Sequence, residues 1–410
     1  LLETIAPLTQ QPLATSTGAT RTARILARHC AYHLAQVRQD PADWRRIEGI
    51  YGQIKRAWQQ VAEEETILDF VQALEVYQER RGLWDDRVAW LQRALQLAVT
   101  TGRQAVQGVL LNQLGVVYRL QGHWQAALAL HVEALTLCHL TGNLQGVGDA
   151  LERQGLVYDL QGQWREAIQA YEQALDYYRA LQKRTDEGKI LANLGVIYGR
   201  QEQWKQATRM FEAYLTICQE QKDKYGQAIA RNNLGLVYTY QGDHDKALTL
   251  WNDALAFYDE VGDRPSGNSV RHNLGDLYTQ AKQWQQAIKM YEESLHISRE
   301  LDDRQMIGLN LKGLGNVYWQ QNRLDEAEDV LEEAKRIFAE LGDQHSLGQT
   351  LYHLAGVLHR QGKWREATQT ILASLHIFRQ LGADNEQGYA LSVLAQLADE
   401  RVGLHGYTVQ

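Results

Sequence analysis

The chain has 410 residues, more than an ordinary single domain, so it is either several domains or one elongated repeat array. Proline occurs only at Pro7, Pro12, Pro41 and Pro265, and alanine, leucine, glutamine and glutamate dominate, which is what long uninterrupted helices require. A net charge of -8 disfavours a phosphate backbone as principal partner; three cysteines without a CxxC pair are too few for a disulfide framework and fit a reducing cytoplasm; no signal peptide or membrane span is visible.

Residues 1–20 contain Pro7, Pro12 and a Ser/Thr/Gly stretch without apolar period and read as linker. The opening Leu1-Leu2-Glu3 lacks an initiator methionine, so the sequence is expected to be part of a longer protein. Residues 21–63 read as a helical connector with helices over about 22–38 and 41–63, Asp40 capping the second and Pro41 taking its first position. Residues 64–102 give a pair of helices, about 64–81 and 83–100, that keeps Trp84, Leu91 and Ala94 in a later register but places Tyr77 one residue early. That pair is expected to be a degenerate capping repeat.

From 103 to 382 the chain repeats every 40 residues, giving seven units. A Leu-Gly or equivalent small-residue step recurs at Gly115, Gly155, Gly195, Gly235, Gly275 and Gly315 and continues as Ala355 and Ala395. The same interval carries Trp84, Trp124, Trp164, Trp204, His244, Trp284, Leu324 and Trp364, and a small residue three later at Ala127, Ala167, Ala207, Ala247, Ala287, Ala327 and Ala367. Within one unit Tyr158 follows Gly155, Gln161-Gly162 breaks the helix, and Trp164, Ala167, Tyr171, Ala174 and Leu175 recur at three- and four-residue steps, a helix-turn-helix hairpin. Residues 383–410 supply a further first helix, about Glu386 to Asp399, and a tail, read as a C-terminal cap.

These residues resemble the tetratricopeptide (TPR) signature over roughly residues 64–400. The resemblance implies an all-α fold, a right-handed α-α superhelix (TPR solenoid) whose first helices line a concave face. The usual repeat is shorter; here the second helix runs on through Tyr177-Tyr178 or Phe257-Tyr258. Between hairpins, Thr141-Gly142-Asn143, Val261-Gly262-Asp263 and Leu341-Gly342-Asp343 place glycine at the left-handed end of one helix and Asn or Asp at the cap of the next. A second ladder, Gly108, Gly148, Gly188, Gly308, Gly348 and Gly388, with Ala228 and Asn268 in the gaps, sits inside the first helices. Glycine there costs about 1 kcal/mol; close approach to the preceding helix explains it better than a ligand contact.

The front end carries a looser likeness. Arg28-His29-Cys30-Ala31-Tyr32-His33, Ile54-Lys55-Arg56-Ala57-Trp58, Tyr77 to Gly82, Trp90-Leu91 and Ala94-Leu95 resemble the segment joining the ATPase module to the repeats in bacterial STAND signalling ATPases of the maltose-regulon activator type. An unrelated helical cap is the alternative. The resemblance implies an ATPase domain upstream in the same chain and makes this region its sensor.

Residues with catalytic promise are few. Gly262 to Ser269 (GDRPSGNS) has Asn268 where a phosphate loop needs lysine. Thirteen histidines form no HExxH and no His/Cys zinc spacing, and no strained turn presents a serine nucleophile, so neither cofactor nor metal nor enzyme activity is expected. Cys138 and Cys218 share the second-helix position of Tyr178, Tyr258, Phe338 and Phe378, a core position. The tryptophan ladder is a wedge between hairpins.

Specificity belongs where repeats differ. Three residues before the Leu-Gly glycine stand Asn112, Glu152, Ala192, Asn232, His272, Lys312 and Tyr352; four after, Arg119, Asp159, Gly199, Thr239, Thr279, Trp319 and His359; one further on, Arg200, Tyr240 and Arg360. Just after the glycine, Val116, Leu156, Val196 and Leu236 give way to Asp276 and Asn316, so polar recognition is expected in the later repeats. The candidate groove residues are Arg200, Asn232, Tyr240, His272, Asp276, Lys312, Asn316, Trp319, Tyr352 and His359. Trp319 and Tyr352 either stack on a ligand or pack against a neighbouring first helix. Asn193, Asn233 and Asn273 either hold an extended peptide or tie down an adjacent loop. A protein, peptide or small effector in the groove of a STAND sensor is the leading reading, and a stand-alone TPR scaffold the second.

Overall fold

The computed structural model describes residues 18–40, 43–61 and 63–406, which form twenty helices and no strand. The linker and Pro41 at its helix start lie outside the described residues except for the first helical turn at Gly18. The chain divides into two compact units, Leu1–Ile197 and Tyr198–Gln410. The first holds α1 (Gly18–Gln39), α2 (Trp44–Gln60), α3 (Glu64–Ala73), α4 (Glu75–Arg80), α5 (Trp84–Thr100), α6 (Gln104–Leu120), α7 (Trp124–Leu140), α8 (Leu144–Leu160), α9 (Trp164–Ala180) and most of α10 (Arg184–Arg200). The second continues with α11 (Trp204–Glu220), α12 (Lys224–Tyr240), α13 (His244–Val261), α14 (Arg264–Gln280), α15 (Trp284–Glu300), α16 (Arg304–Gln320), α17 (Leu324–Leu341), α18 (Gln344–Arg360), α19 (Trp364–Leu381) and α20 (Asp384–Gly406).

At several junctions between hairpins both helix ends are fixed locally. Gly262 closes α13 at φ 70° and Gly342 closes α17 at φ 71°. Asp263 Oδ1 then accepts the Ser266 amide and Asp343 Oδ1 the Ser346 amide, each satisfying an orphan donor of the following helix. GDRPSGNS is therefore a helix start, with Pro265 in the first turn of α14 and Asn268 buried.

The glycine ladders are explained by contacts within a hairpin. A methyl group at Gly108 would lie 3.0 Å from Cys138 Sγ, at Gly148 2.9 Å from the Tyr178 ring, at Gly308 2.8 Å from Phe338 and at Gly348 2.8 Å from Phe378. The close approach is thus to the helix that follows, not the one before: in these four hairpins the first helix receives the side chain thirty residues on in its own partner. Burying one such ring is worth roughly 1.5–3 kcal/mol, which outweighs the helix-propensity cost of about 1 kcal/mol for the glycine. In one hairpin the exchange is reversed. Asn268 replaces the glycine, Ser298 replaces the ring, and Asn268 Nδ2 donates to Ser298 Oγ at 2.8 Å. The Leu-Gly step works similarly, Gly315 lying under Leu331, Gly275 under Tyr291 and Gly235 under Trp251. Cys30, Cys138 and Cys218 are free and buried.

The front end departs from expectation in two places. The second helix starts at Trp44 rather than 41, because Asp43, not Asp40, caps it by accepting the Arg46 amide, and it ends where Val61 turns extended. The helix expected over 64–81 is broken at Leu74. The break falls beside Glu75, which stands 40 residues before Gly115, where the full repeats carry glycine. Tyr77 consequently buries its ring 5.1 Å from Tyr51. Arg87, fully buried, donates to the Val71 carbonyl and lies 3.4 Å from Glu75.

Candidate functional site

All ten groove candidates fall in the second unit, and none is fully buried. There the first helices of successive hairpins lie beside one another, α12 by α14, α14 by α16 and α16 by α18, so residues at matching registers form rows across them.

His272, Asp276 and Lys312 are brought together. Tyr291 Oη donates to Asp276 Oδ1 at 2.5 Å, and His272 Nε2 lies 3.6 Å from Asp276 Oδ2. Burial, then the Asp276 charge, hold the Tyr291 phenol well above its ordinary pKa. His272 Nδ1 faces Asn310 Oδ1 at 2.9 Å, and Asn310 Nδ2 donates to Ser294 Oγ at 2.7 Å, so the polar surface continues into the Asn268–Ser298 core. Lys312 Nζ donates to Gln349 Oε1 at 2.6 Å. Burial lowers its pKa, against the pull of Asp276 and Asp343. Asn316 is half-buried one turn further along α16.

Trp319 forms a wall. A methyl group on Gly356 would touch its ring at 2.8 Å, so the indole lies against the α18 backbone where glycine permits it. Arg360 stands 4.9 Å over the ring and donates Nη1 to the Trp319 carbonyl at 2.8 Å. The packing reading of this tryptophan describes its contacts. Tyr352 is half-buried beside His353, with ring centroids 5.3 Å apart. His353, 6.0 Å from the Trp319 ring, is held neutral by burial and the Lys312 charge, its pKa down to about 4.

The remaining candidates stand apart from this cluster. Asn232 has its carbonyl taken by Trp251 Nε1 at 3.0 Å and its side chain by Asn273 Nδ2 at 3.3 Å, so Asn273 ties adjacent first helices together. Tyr240 is 62% exposed and lies flat on Trp204, centroids 4.6 Å apart and planes 5° apart. Arg200 is exposed at the end of α10, and His359 meets the Trp364 ring edge-on at 4.8 Å.

Sequence reasoning missed Tyr291, Asn310, Gln349 and His353. Tyr291 sits in the second helix at a core register, and its hydroxyl reaches the groove only because Gly275 and Gly313 both yield to its ring. His353 carried a faint signal: it replaces the Asn that precedes the Leu-Gly step in three earlier repeats. Charge is also present in the first unit, where Arg119 is half-buried and its pKa is lowered by burial and by the Arg153 charge; polar character is not confined to the later repeats.

Residues 188–397, just over half the chain, match the family described as the MalT-like TPR region. The chain belongs to that family. Ahead of the match, residues 106–180 fit the tetratricopeptide repeat. No curated protein matches this MalT-like TPR region. Its fold is shared with the apo quorum sensor NprR from B. thuringiensis, at TM-score 0.57 and 14% identity over 87% of this chain and 99% of that one. It is shared too with the signal-transduction ATPase with numerous domains carrying a tetratricopeptide repeat sensor from Pyrococcus horikoshii, at TM-score 0.56 and 15% identity over 85% of this chain and 55% of that one. A Rap protein complexed with competence and sporulation factor gives TM-score 0.51, 14% identity, 82% and 98%. No helix among the described residues is long and apolar enough to cross a membrane.

Proposed function

We propose that this MalT-like TPR region is the non-catalytic sensor of a STAND-type signalling ATPase or transcriptional regulator, and that it receives a protein, peptide or small effector on the inner face of its first helices. The supporting observation is the grouping of His272, Asp276 and Lys312 on adjacent first helices: all three stand at registers that vary between repeats, and Asp276 replaces the apolar Val116, Leu156, Val196 and Leu236 of earlier ones. Structural residues of a repeat recur; these do not. Effector binding acts on the ATPase through unequal affinity for its inhibited and assembly-competent states. Arg200, Asn232, Tyr240, Asn316, Trp319, Tyr352 and His359 complete the proposed contact surface, with Tyr240 and Arg200 at one margin.

The test is effector capture by the protein from its source cell, read by native mass spectrometry, for wild type, Asp276→Ala and Lys312→Ala. The expected result is a bound species lost in both variants. Retention in both removes the site assignment. A segment ahead of residue 1 carrying a Walker A motif and a winged helix distinguishes the sensor from a stand-alone scaffold, which would lack it.

A further inference from the structure

The last helix leaves open a face that its two predecessors bury. In α16 the row Gly308, Leu311, Gly315 and Tyr318 is buried, with Gly308 beneath Phe338 and Gly315 beneath Leu331 of the second helix. In α18 the row Gly348, Leu351, Ala355 and Leu358 is buried likewise, and Phe378 enters at Gly348. α20 places Gly388, Leu391, Ala395 and Ala398 at the same registers, and all of them are exposed; Leu391 is 44% accessible against 8% for Leu351. Nothing lies within 4 Å of a methyl built on Gly388. Another side of α20 is already committed: Ala390 and Leu397 are buried in the core that includes α18 and α19, and Val393 and Leu394 pack against it. α20 is thus a first helix, seated on the preceding hairpin, that no second helix among the described residues covers.

The chain does not turn back at the register where a hairpin would close. After α14, α16 and α18 the turn contains a left-handed residue, Lys282, Asn322 and Gly362 in that order. Forty residues after Gly362 stands Val402, a β-branched residue of the kind that disfavours this conformation, and α20 runs through it to Gly406. The repeats themselves display what covers such a face. In α17 it is Ala327, Leu331 and Phe338, and in α19 Ala367, Ile371 and Phe378: a small residue, an aliphatic one four later and a ring seven after that. We propose that the face formed by Gly388, Leu391, Ala395 and Ala398 docks an amphipathic helix of a partner protein carrying this pattern, its ring entering at Gly388 and its aliphatic side chain lying over Ala395. Burial of apolar surface drives the contact, and none of the four registers carries a charge to oppose it. A second copy of the chain fits less well, because the same face offers small residues and Leu391 but no ring for a facing Gly388. None of the proposed groove residues lies on α20, so this surface is separate from the effector groove.

The probe is the α19 segment itself, Trp364–Leu381, as a blocked fluorescent peptide added to the 410-residue protein and followed by anisotropy. It should bind, and the peptide carrying Phe378→Ala should bind at least about tenfold more weakly, the worth of burying one ring. Leu391→Glu in the protein should abolish binding; the position is exposed, and a circular-dichroism melt verifies that the fold is kept. Gly388→Ala should weaken binding while raising the melting temperature, because the methyl adds helix propensity and narrows the entry for the ring. A purely structural role would not move stability and binding in opposite directions. Binding indifferent to both Leu391→Glu and Gly388→Ala means that the peptide replaces α19 in its own hairpin, and overturns the proposal. Absence of binding overturns it as well. Self-association of the protein, measured by analytical ultracentrifugation and lost in Leu391→Glu, assigns the face to a second copy and removes the partner helix.

Discussion

Gly308 and Gly388 occupy the same register of the 40-residue repeat, yet the structure gives them different surroundings, and comparing alanine at the two positions isolates what the second glycine ladder does. At Gly388 nothing lies within 4 Å of the added methyl, so alanine there gains only helix propensity, about 1 kcal/mol in favour of the fold. At Gly308 the methyl would sit 2.8 and 2.9 Å from the Phe338 ring and 3.2 Å from Ile337 Cγ2. Phe338 is wholly buried and cannot swing away, so overpacking of about 1–3 kcal/mol is added to the same propensity gain. The propensity contribution cancels between the two variants, and the difference is the packing cost alone. Urea denaturation of Gly308→Ala and Gly388→Ala, with hydrogen exchange of α16 and α17 amides to localise the effect, should therefore differ by about 1–3 kcal/mol, Gly388→Ala being the more stable. Pairing Gly308→Ala with Phe338→Leu should recover part of the loss. Should the two glycine variants agree to within about 0.5 kcal/mol, the limit at which separate effects are resolved, the ladder is not there to admit the ring.

Other predictions follow from burial and charge. His131, fully buried and bonded to Asn112 Oδ1 at 3.0 Å, has its pKa lowered to about 3 by burial and then by the charges of Arg153 and Arg119. Its folded value lies below its unfolded one, so the stability it contributes is complete above pH 6.5 and is lost as the pH falls from there towards 3. His131→Tyr, which restores the residue of the following repeat, should flatten the fall of the urea midpoint across that window, and an unchanged slope would contradict the assignment. Cys138 and Cys218 are buried and held above the ordinary thiol pKa by burial, so neither should react with iodoacetamide until the protein unfolds; rapid alkylation of the native protein would refute their core placement. Gly342→Ala forces a side chain into the left-handed region at φ 71° and should cost roughly 1–2 kcal/mol in a thermal melt, whereas Gly49→Ala, with open space around it, should not destabilise.

The repeat, its hairpins and their turns were legible in the sequence because they depend on short-range rules repeated many times. Left-handed Gly262 and Gly342 and the caps Asp263 and Asp343 act within a few residues of themselves, and forty-residue periodicity separates shared positions from variable ones. Tertiary structure decided what lies between distant registers. Periodicity marked Gly308 as needing no side chain but did not reveal that Phe338, thirty residues on, fills the space, so the direction of the close approach was misjudged. The break at Leu74 was likewise unmarked by the pattern, although Glu75 keeps a charged side chain where the full repeats carry glycine. At the candidate site the pattern selected Asp276 and Lys312 because they vary; it was silent on Tyr291, Gln349 and His353, whose importance arises from a hydrogen bond or an unmatched atom. Local propensity is additive along a chain, whereas the pairing of a buried charge or N–H is fixed only when helices far apart in sequence are set side by side.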